Sequence, residues 1–266
     1  MSKIIFLGTA GDVSVYGRQL RASGGIVLQV EDLQFHFDPG PGALVKAKEF
    51  GVNLRATTAI LSSHQDLLFC NDINAVIEAM TLAGLDRKGV VLGSKSVLTQ
   101  YLTPFHQSLV ERVILLPKGQ KVGIEVVEVH AVSVKANDDN AIGFKLYCPR
   151  FTLSYIAETK YSKLLAEELA GTDILILSVP IPDNKANNSS LLDKVGAIRL
   201  IQRVQPRLVI LTNFGLEMLK ADPIMIARDV QRMTGVQTIA AKDGLVLNPY
   251  AYSAKSQQYR LAKFYK

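Results

Sequence analysis

The side chains best suited to chemistry follow apolar runs at several points along the sequence. His64 and Asp66 come directly after TTAILSS, Glu158 follows FTLSYI, and Asn213 follows RLVILT. Functional groups concentrate in the loops after strands, so these strand ends are candidate places for chemistry. Two further such ends are FDPGPG at 37–42 and VKANDDN at 134–140. One imidazole and two carboxylates make an N,O,O ligand set, which suits a divalent cation such as Zn²⁺, Mn²⁺ or Fe²⁺, and Asn213 adds a weak carbonyl ligand.

The elements that must position these residues alternate along the chain. KIIFLG, GGIVLQV and LQFHFD read as strands, and TTAILSS is a buried strand followed by a helix over 72–84. Asp72 is the expected N-cap of that helix and Gly84 its end. A further helix carries Tyr101 and Phe105, and the stretches VGIEVVEVHAVSV, AIGFKLYC and FTLSYIAE read as consecutive strands.

The last third of the chain changes to a strict alternation of helix and strand. Helices are predicted over SKLLAEELAG, over 191–204, and after Asp222, with strands DILILSVPI and RLVILTNFG between them. No repeat or low-complexity tract interrupts this pattern. We therefore expect a single domain over residues 1–266, with a basic and aromatic tail from about 248 to 266.

The order of these landmarks resembles the metallo-β-lactamase superfamily, in particular its ribonuclease Z-like and phosphodiesterase-like branch. FLGT at 6–9, DPG at 38–40 and the strand, loop and helix over 61–80 match the opening of that family. The later landmarks match at Gly143–Phe144, at 155–159 and at 212–215. The resemblance implies an α/β fold, a four-layer αββα sandwich of two mixed β-sheets flanked by helices.

The family's metal-binding motif is incomplete in this chain. Aligned on the resemblance, its histidine-rich loop falls on His64, Asp66, Leu68 and Phe69, and two of these side chains offer no lone pair. A later family histidine falls near Ala136. The last two ligand positions fall on Glu158, where the family has a bridging aspartate, and on Asn213, where it has a histidine. A centre with two metals is therefore not expected, since Leu68 and Phe69 cannot bind the second metal.

Two functions follow from this departure. The first is a catalytically degenerate protein that binds a partner or acts as a scaffold and holds no cofactor. The second is a hydrolase with one divalent metal, acting on phosphodiester or ester bonds, for which nucleic acid or nucleotides are one substrate class. In that case His64, Asp66 and Glu158 hold the metal, and Asp66 and Glu158 are the catalytic candidates.

Composition restricts the remaining alternatives. The chain has 266 residues, a net charge of +6 and two cysteines, neither of them in a CxxC pair. We expect a reduced, cytoplasmic protein without a membrane span or signal peptide. A second copy or a paralogue is a candidate partner. Nucleic acid is another, because tyrosines and cations alternate in the C-terminal tail, although a closing strand and solvated tail have the same composition.

Overall fold

The computed structural model describes residues 2–182 and 191–253, so most of the predicted C-terminal tail lies outside the described residues. The strands are β1 (Lys3–Gly8), β2 (Ser23–Val30), β3 (Leu33–Phe37), β4 (Ala59–Ser62), β5 (Val90–Gly93), β6 (Arg112–Leu115), β7 (Lys121–Ile124), β8 (Val127–Ser133), β9 (Ile142–Tyr147), β10 (Thr152–Ile156), β11 (Ile174–Ser178), β12 (Leu208–Thr212), β13 (Thr238–Ala240) and β14 (Val246–Leu247). The helices are α1 (Val13–Tyr16), α2 (Ala43–Glu49), α3 (Leu67–Cys70), α4 (Ile73–Thr81), α5 (Lys95–Gln100), α6 (Pro104–Leu109), α7 (Lys163–Glu168), α8 (Lys194–Val204), α9 (Leu216–Lys220) and α10 (Pro223–Thr234).

These strands form two mixed sheets of seven strands each. The first has the order β14-β1-β2-β3-β4-β5-β6, antiparallel from β14 to β3 and parallel from β3 to β6. The second has the order β13-β12-β11-β10-β9-β8-β7, parallel from β13 to β10 and antiparallel beyond it. The parallel strands β4, β11 and β12 are buried along their whole length, as expected for strands covered on both faces.

Three apolar clusters define the layers. The central cluster joins the two sheets and includes Phe6, Phe35 and Phe144. A second cluster packs α7, α8 and α10 on the outer face of the second sheet. A third packs α2, α4, α5 and α6 on the outer face of the first sheet. The predicted four-layer αββα sandwich is therefore confirmed.

Three details differ from the sequence-based expectation. The helix predicted over 72–84 ends at Thr81, because Leu82 takes a left-handed backbone conformation. Asp72 precedes that helix but does not cap it; its carboxylate accepts hydrogen bonds from the amides of Gly42 and Ala43 at the start of α2. The stretch over 122–134 is a hairpin, β7 and β8, with a turn at Glu125.

The helix expected to carry Tyr101 and Phe105 is also divided. α5 ends before Tyr101, and α6 begins at Pro104 with Thr103 as its N-cap. The divided helix follows from proline, which lacks the amide that a continuous helix needs and favours the first helical turn. Among residues 2–182 and 191–253, no helix combines the length and the apolar composition needed to cross a membrane.

Candidate functional site

The ends of strands from both sheets meet at one end of the sandwich. The amide of Ile142 donates to the carbonyl of Ser63 at 3.0 Å, which joins the end of β4 to the start of β9. The amide of Phe214 donates to the carbonyl of Thr9 at 2.8 Å, which joins the end of β12 to the end of β1. These backbone bonds fix the loops that carry the candidate residues of both sheets.

A chain of buried polar groups starts at Asp38, directly after β3. One oxygen of Asp38 accepts from the Ser63 amide, and the other accepts from the Ser63 hydroxyl, both at 2.7 Å. The same hydroxyl lies 2.8 Å from Nδ1 of His64. Ser63 therefore bridges the carboxylate of one strand end to the imidazole of the next.

The imidazole of His64 faces the second sheet at Glu158. Its Nε2 atom lies 3.4 Å from Oε2 of Glu158, close enough for an ionic contact but without the alignment of a hydrogen bond. The other oxygen of Glu158 accepts from the Asn137 amide at 3.1 Å. The structure thus brings together two of the predicted ligands, one from each sheet.

The side chain of Asp66 caps a helix and does not face His64 and Glu158 as a metal ligand would. Its side chain is exposed, and Oδ1 accepts from the Leu68 amide at 2.8 Å, so the carboxylate caps the N-terminus of α3. The backbone carbonyl of Asp66 accepts from the Cys70 thiol at 3.1 Å. Local capping therefore accounts for this aspartate, and it does not join His64 and Glu158 as a third ligand among the described residues.

Asn213 lies at the end of β12 with a left-handed φ of 53°. The hydroxyl of Tyr155 lies near the side chains of both Asn213 and Asp38, and the buried side-chain nitrogen of Asn213 has no hydrogen-bond partner among the described residues. These three residues line a cavity of only about 10 Å³, which Leu68 and Phe69 also line. That volume is at the lower limit for one water molecule.

Leu68 and Phe69 occupy the place where the family resemblance puts two metal donors. They are only 4% and 8% exposed, and the ring of Phe69 lies 4.5 Å from the ring of His64. Gly40 permits this close packing, because a Cβ atom at that position would lie 1.8 Å from the carbonyl oxygen of Leu68. Apolar packing therefore fills this part of the site.

Several buried polar atoms at the end of β4 have no hydrogen-bond partner among the described residues. They are the hydroxyl of Ser62, Nε2 of His64 and the side-chain oxygen of Gln65. A buried polar atom without a hydrogen-bond partner lowers the stability of the fold. These three atoms therefore mark a place where the contacts within the chain leave hydrogen-bonding groups unpaired.

Burial dominates the electrostatics of the site. It raises the pKa of the Asp38 carboxyl, while His64 and the hydrogen bonds from Ser63 act in the opposite direction. Burial, with the charge of Asp38, also raises the pKa of the Tyr155 hydroxyl well above its ordinary value. Burial likewise raises the pKa of the Cys70 thiol, which removes it as a nucleophile.

The donor set does not fit a metal centre of the family's two-metal type. Residues 2–182 and 191–253 contain no group of three histidine, cysteine, aspartate or glutamate side chains placed to hold an ion. His64 and Glu158 offer two ligands, whereas catalytic zinc sites commonly use three protein ligands.

Two residues of the site were missed by sequence reasoning. Ser63 has a local signal, since it stands next to the candidate histidine at a strand end. Asp138 also has a local signal, since it lies in the polar stretch VKANDDN at 134–140, but its partners do not: its carboxylate accepts from the Ser96 hydroxyl and, at 3.3 Å, from the Gln65 amide. These partners are distant in sequence, so only the folded chain shows that they meet.

Comparison with known proteins gives one relative at appreciable sequence identity. The chain is 30% identical over 251 residues to the uncharacterized protein MJ1374 of Methanocaldococcus jannaschii. The aligned region covers 91% of this chain and 93% of that protein. The chain matches none of the profiles that describe known protein families.

Solved structures are similar in fold at lower identity. The metallo-β-lactamase fold protein YhfI from Bacillus subtilis has a TM-score of 0.77 at 17% identity, covering 92% of this chain and 98% of YhfI. Zn²⁺-bound PqqB from Methylobacterium extorquens has a TM-score of 0.71 at 13% identity, covering 92% and 99%. The short form of human tRNase Z has a TM-score of 0.66 at 14% identity, covering 92% and 98%. The chain therefore belongs to the same family as MJ1374 and has the metallo-β-lactamase fold.

Proposed function

We propose that this chain is a catalytically degenerate protein of the metallo-β-lactamase fold that serves as a binding or scaffold subunit. The observation that carries this proposal is the packing of Leu68 and Phe69 at the site end of the sandwich. Together with Asp38, Tyr155 and Asn213 they leave a cavity of about 10 Å³, too small for a substrate.

The remaining polar residues support the same proposal. Asp38 is occupied by three hydrogen bonds or contacts from Ser63 and Tyr155, and Asp66 caps α3. His64 and Glu158 remain as a pair that lacks a third ligand among the described residues. A site with few imidazole ligands loses much of its affinity for a transition metal.

Metal analysis of the purified protein tests this function. After dialysis against metal-free buffer, we expect well under one equivalent of Zn, Mn or Fe per chain and no change in Tm on addition of a chelator. The matched control is His64→Ala, which is expected to have the same metal content as the wild type. Near-stoichiometric metal in the wild type that is lost in His64→Ala contradicts the proposal.

We propose the one-metal hydrolase of phosphodiester or ester bonds as a second candidate. The observation that favours it is Nε2 of His64, which is buried without a hydrogen-bond partner and points at Glu158. An imidazole nitrogen in that position is a plausible ligand for one cation. Turnover of a chromogenic phosphodiester with added Mn²⁺ or Zn²⁺, abolished by chelator and by Glu158→Ala, supports this candidate. Absence of turnover of this phosphodiester and of a chromogenic ester with either metal contradicts it.

A further inference from the structure

A larger cavity lies at the end of the sandwich opposite His64. Its volume is about 560 Å³, within the range of roughly 300–1,000 Å³ that is usual for ligand sites. It is lined by Thr58, Lys88 and Arg112, which stand just before or at the start of the parallel strands β4, β5 and β6. His64 follows the other end of β4, so the two sites are separated by the length of the sheet.

Two sheet edges border this cavity. β6 is the last strand of the first sheet and β7 the last strand of the second, within residues 2–182 and 191–253. Ile114 of β6 and Val122, Gly123 and Ile124 of β7 line the cavity, which we call the β6–β7 cleft. An edge strand presents backbone amides and carbonyls that can pair with an added strand.

The register of the hairpin shows which amide of β7 lies on the free edge. The amide of Ala131 donates to the carbonyl of Gln120 at 2.8 Å, and the pairing continues from Lys121 opposite His130 along the hairpin. Antiparallel partners alternate between hydrogen-bonded and non-hydrogen-bonded pairs. The amide and carbonyl of Gly123 therefore point away from β8, toward the unpaired side.

Charges of both signs surround the cleft. Lys88 and Arg112 contribute cations, and Asp32, Glu111 and Glu125 contribute anions. None of these five side chains forms an ion pair with another described residue. The ammonium group of Lys88 donates to the carbonyl of Arg55 at 2.6 Å. The floor between them is apolar, from the half-buried side chains Val90, Ile114 and Val122.

We propose that the β6–β7 cleft binds an extended peptide segment, which adds to the free edge of β7 and carries both an acidic and a basic side chain. The backbone of the peptide pairs with the exposed groups of Gly123. Its alternate apolar side chains cover Ile114 and Val122, and its acidic side chain faces Arg112. This pairing uses β-strand addition for affinity and side-chain complementarity for specificity. It goes beyond the proposed function and holds whether or not His64 binds a metal.

Fluorescence anisotropy with a labelled, capped heptapeptide that alternates valine with glutamate and lysine tests the proposal. We expect saturable binding to the wild type. Gly123→Pro removes the free-edge amide without touching β8, and it should weaken binding about tenfold or more. Gly123→Ala is the matched control: its Cβ meets no atom within 4 Å and its amide is retained, so binding should be unchanged.

Two further arms separate backbone pairing from charge. The same peptide with N-methylated backbone amides should bind about tenfold more weakly to the wild type, a result that does not depend on how any variant folds. Arg112→Gln should weaken binding of the peptide that contains glutamates. It should not weaken binding of a peptide that has glutamines at those positions. Arg199 is an exposed cation on α8, and Arg199→Gln is the control that should change the binding of neither peptide.

Several results overturn the proposal. Absence of saturable binding by the wild type does so directly. Equal affinity of the N-methylated and unmethylated peptides excludes strand addition, as does equal affinity of Gly123→Pro and Gly123→Ala when both variants have the circular dichroism spectrum of the wild type. None of these outcomes bears on metal content, so they are distinguishable from failure of the proposed function.

Discussion

Nε2 of His64 lies 3.4 Å from Oε2 of Glu158, and the contact joins the two sheets of the sandwich. His64 follows β4 of the first sheet and Glu158 follows β10 of the second. Their side chains are only 3% and 11% exposed. The ends of β4 and β10 therefore bring their loops together at one end of the sandwich. Leu68 and Phe69 are buried beside this contact.

If Leu68 is a packing residue of the closed site, its truncation is costly. We expect Leu68→Ala to lower the free energy of unfolding by about 2–5 kcal/mol, because it leaves a cavity in the core between the sheets. The neighbouring Leu67 is 48% exposed, so Leu67→Ala is the control and should change stability by only about 0.5 kcal/mol. Urea denaturation measures both, and equal losses would contradict the packing role of Leu68.

Ser63 and Ser62 make a second matched pair. Ser63→Ala removes the hydroxyl that bridges Asp38 and His64 and leaves two buried polar groups short of a partner. We expect a loss of about 1–3 kcal/mol in the free energy of unfolding. The hydroxyl of Ser62 has no partner among the described residues, so Ser62→Ala should be neutral or slightly stabilising. A larger loss for Ser62→Ala than for Ser63→Ala would be inconsistent with this network.

His36 makes stability depend on pH. Burial lowers its pKa from 6.5 to about 4 in the folded protein, where Nε2 donates to the carbonyl of Gly24. Between these values the unfolded chain binds more protons than the folded one. The contribution of His36 to stability is therefore complete above pH 6.5 and is lost as pH falls toward 4, with a slope of up to about 1.4 kcal/mol per pH unit.

The measurement compares wild type with His36→Gln, which keeps an N–H donor but does not titrate. Urea denaturation at a series of pH values from 4.5 to 7.5 is expected to show a shallower pH slope for the variant, by about one proton at most. Other titrating groups affect both proteins equally and cancel. Parallel pH profiles for the two proteins would show that His36 is not the source of the slope.

Both cysteine thiols should be unreactive in the folded protein. Burial raises the pKa of Cys148 to about 12 and that of Cys70 further still, and neither forms a disulfide. At pH 8 the thiolate fraction of a group with such a pKa is about 10⁻⁴. We expect a thiol reagent to modify neither residue quickly in native buffer and two per chain in denaturant. Fast modification of the native protein would contradict the buried environment of these thiols.

Much of the fold was predictable from the sequence. Runs such as RLVILT and DILILSV carry apolar side chains on both faces of the strand, which requires cover on both faces, and the structure buries strands β11 and β12 between layers. The cap Asp222, the first-turn proline at 223 and the stop at Gly235 define α10 as predicted. The hairpin at Glu125 was not anticipated, because a short turn within an apolar pattern has a weak local signal. The division of the helix around Tyr101 was not anticipated either, although Pro104 is a local signal for it.

The candidate site was predicted only in part. The one-metal alternative, which rests on the family resemblance, requires His64 and Glu158 to lie close together, and they do. Asp66 stands two residues from His64, but the unpaired amides at the start of α3 offer its carboxylate a nearer partner. Asp72 likewise binds the amides that begin α2 instead of its own helix.

The sequence by itself determined which donors this protein lacks. Leucine and phenylalanine at 68 and 69 have no lone pair in any fold, so neither side chain can bind a metal wherever the chain places it. Only the tertiary structure decided how the remaining polar groups are used. A carboxylate binds whichever unsatisfied donor lies within reach, and that donor is chosen by the packing of distant strands and helices: Ser63 for Asp38, Ser96 for Asp138, and the start of α3 for Asp66.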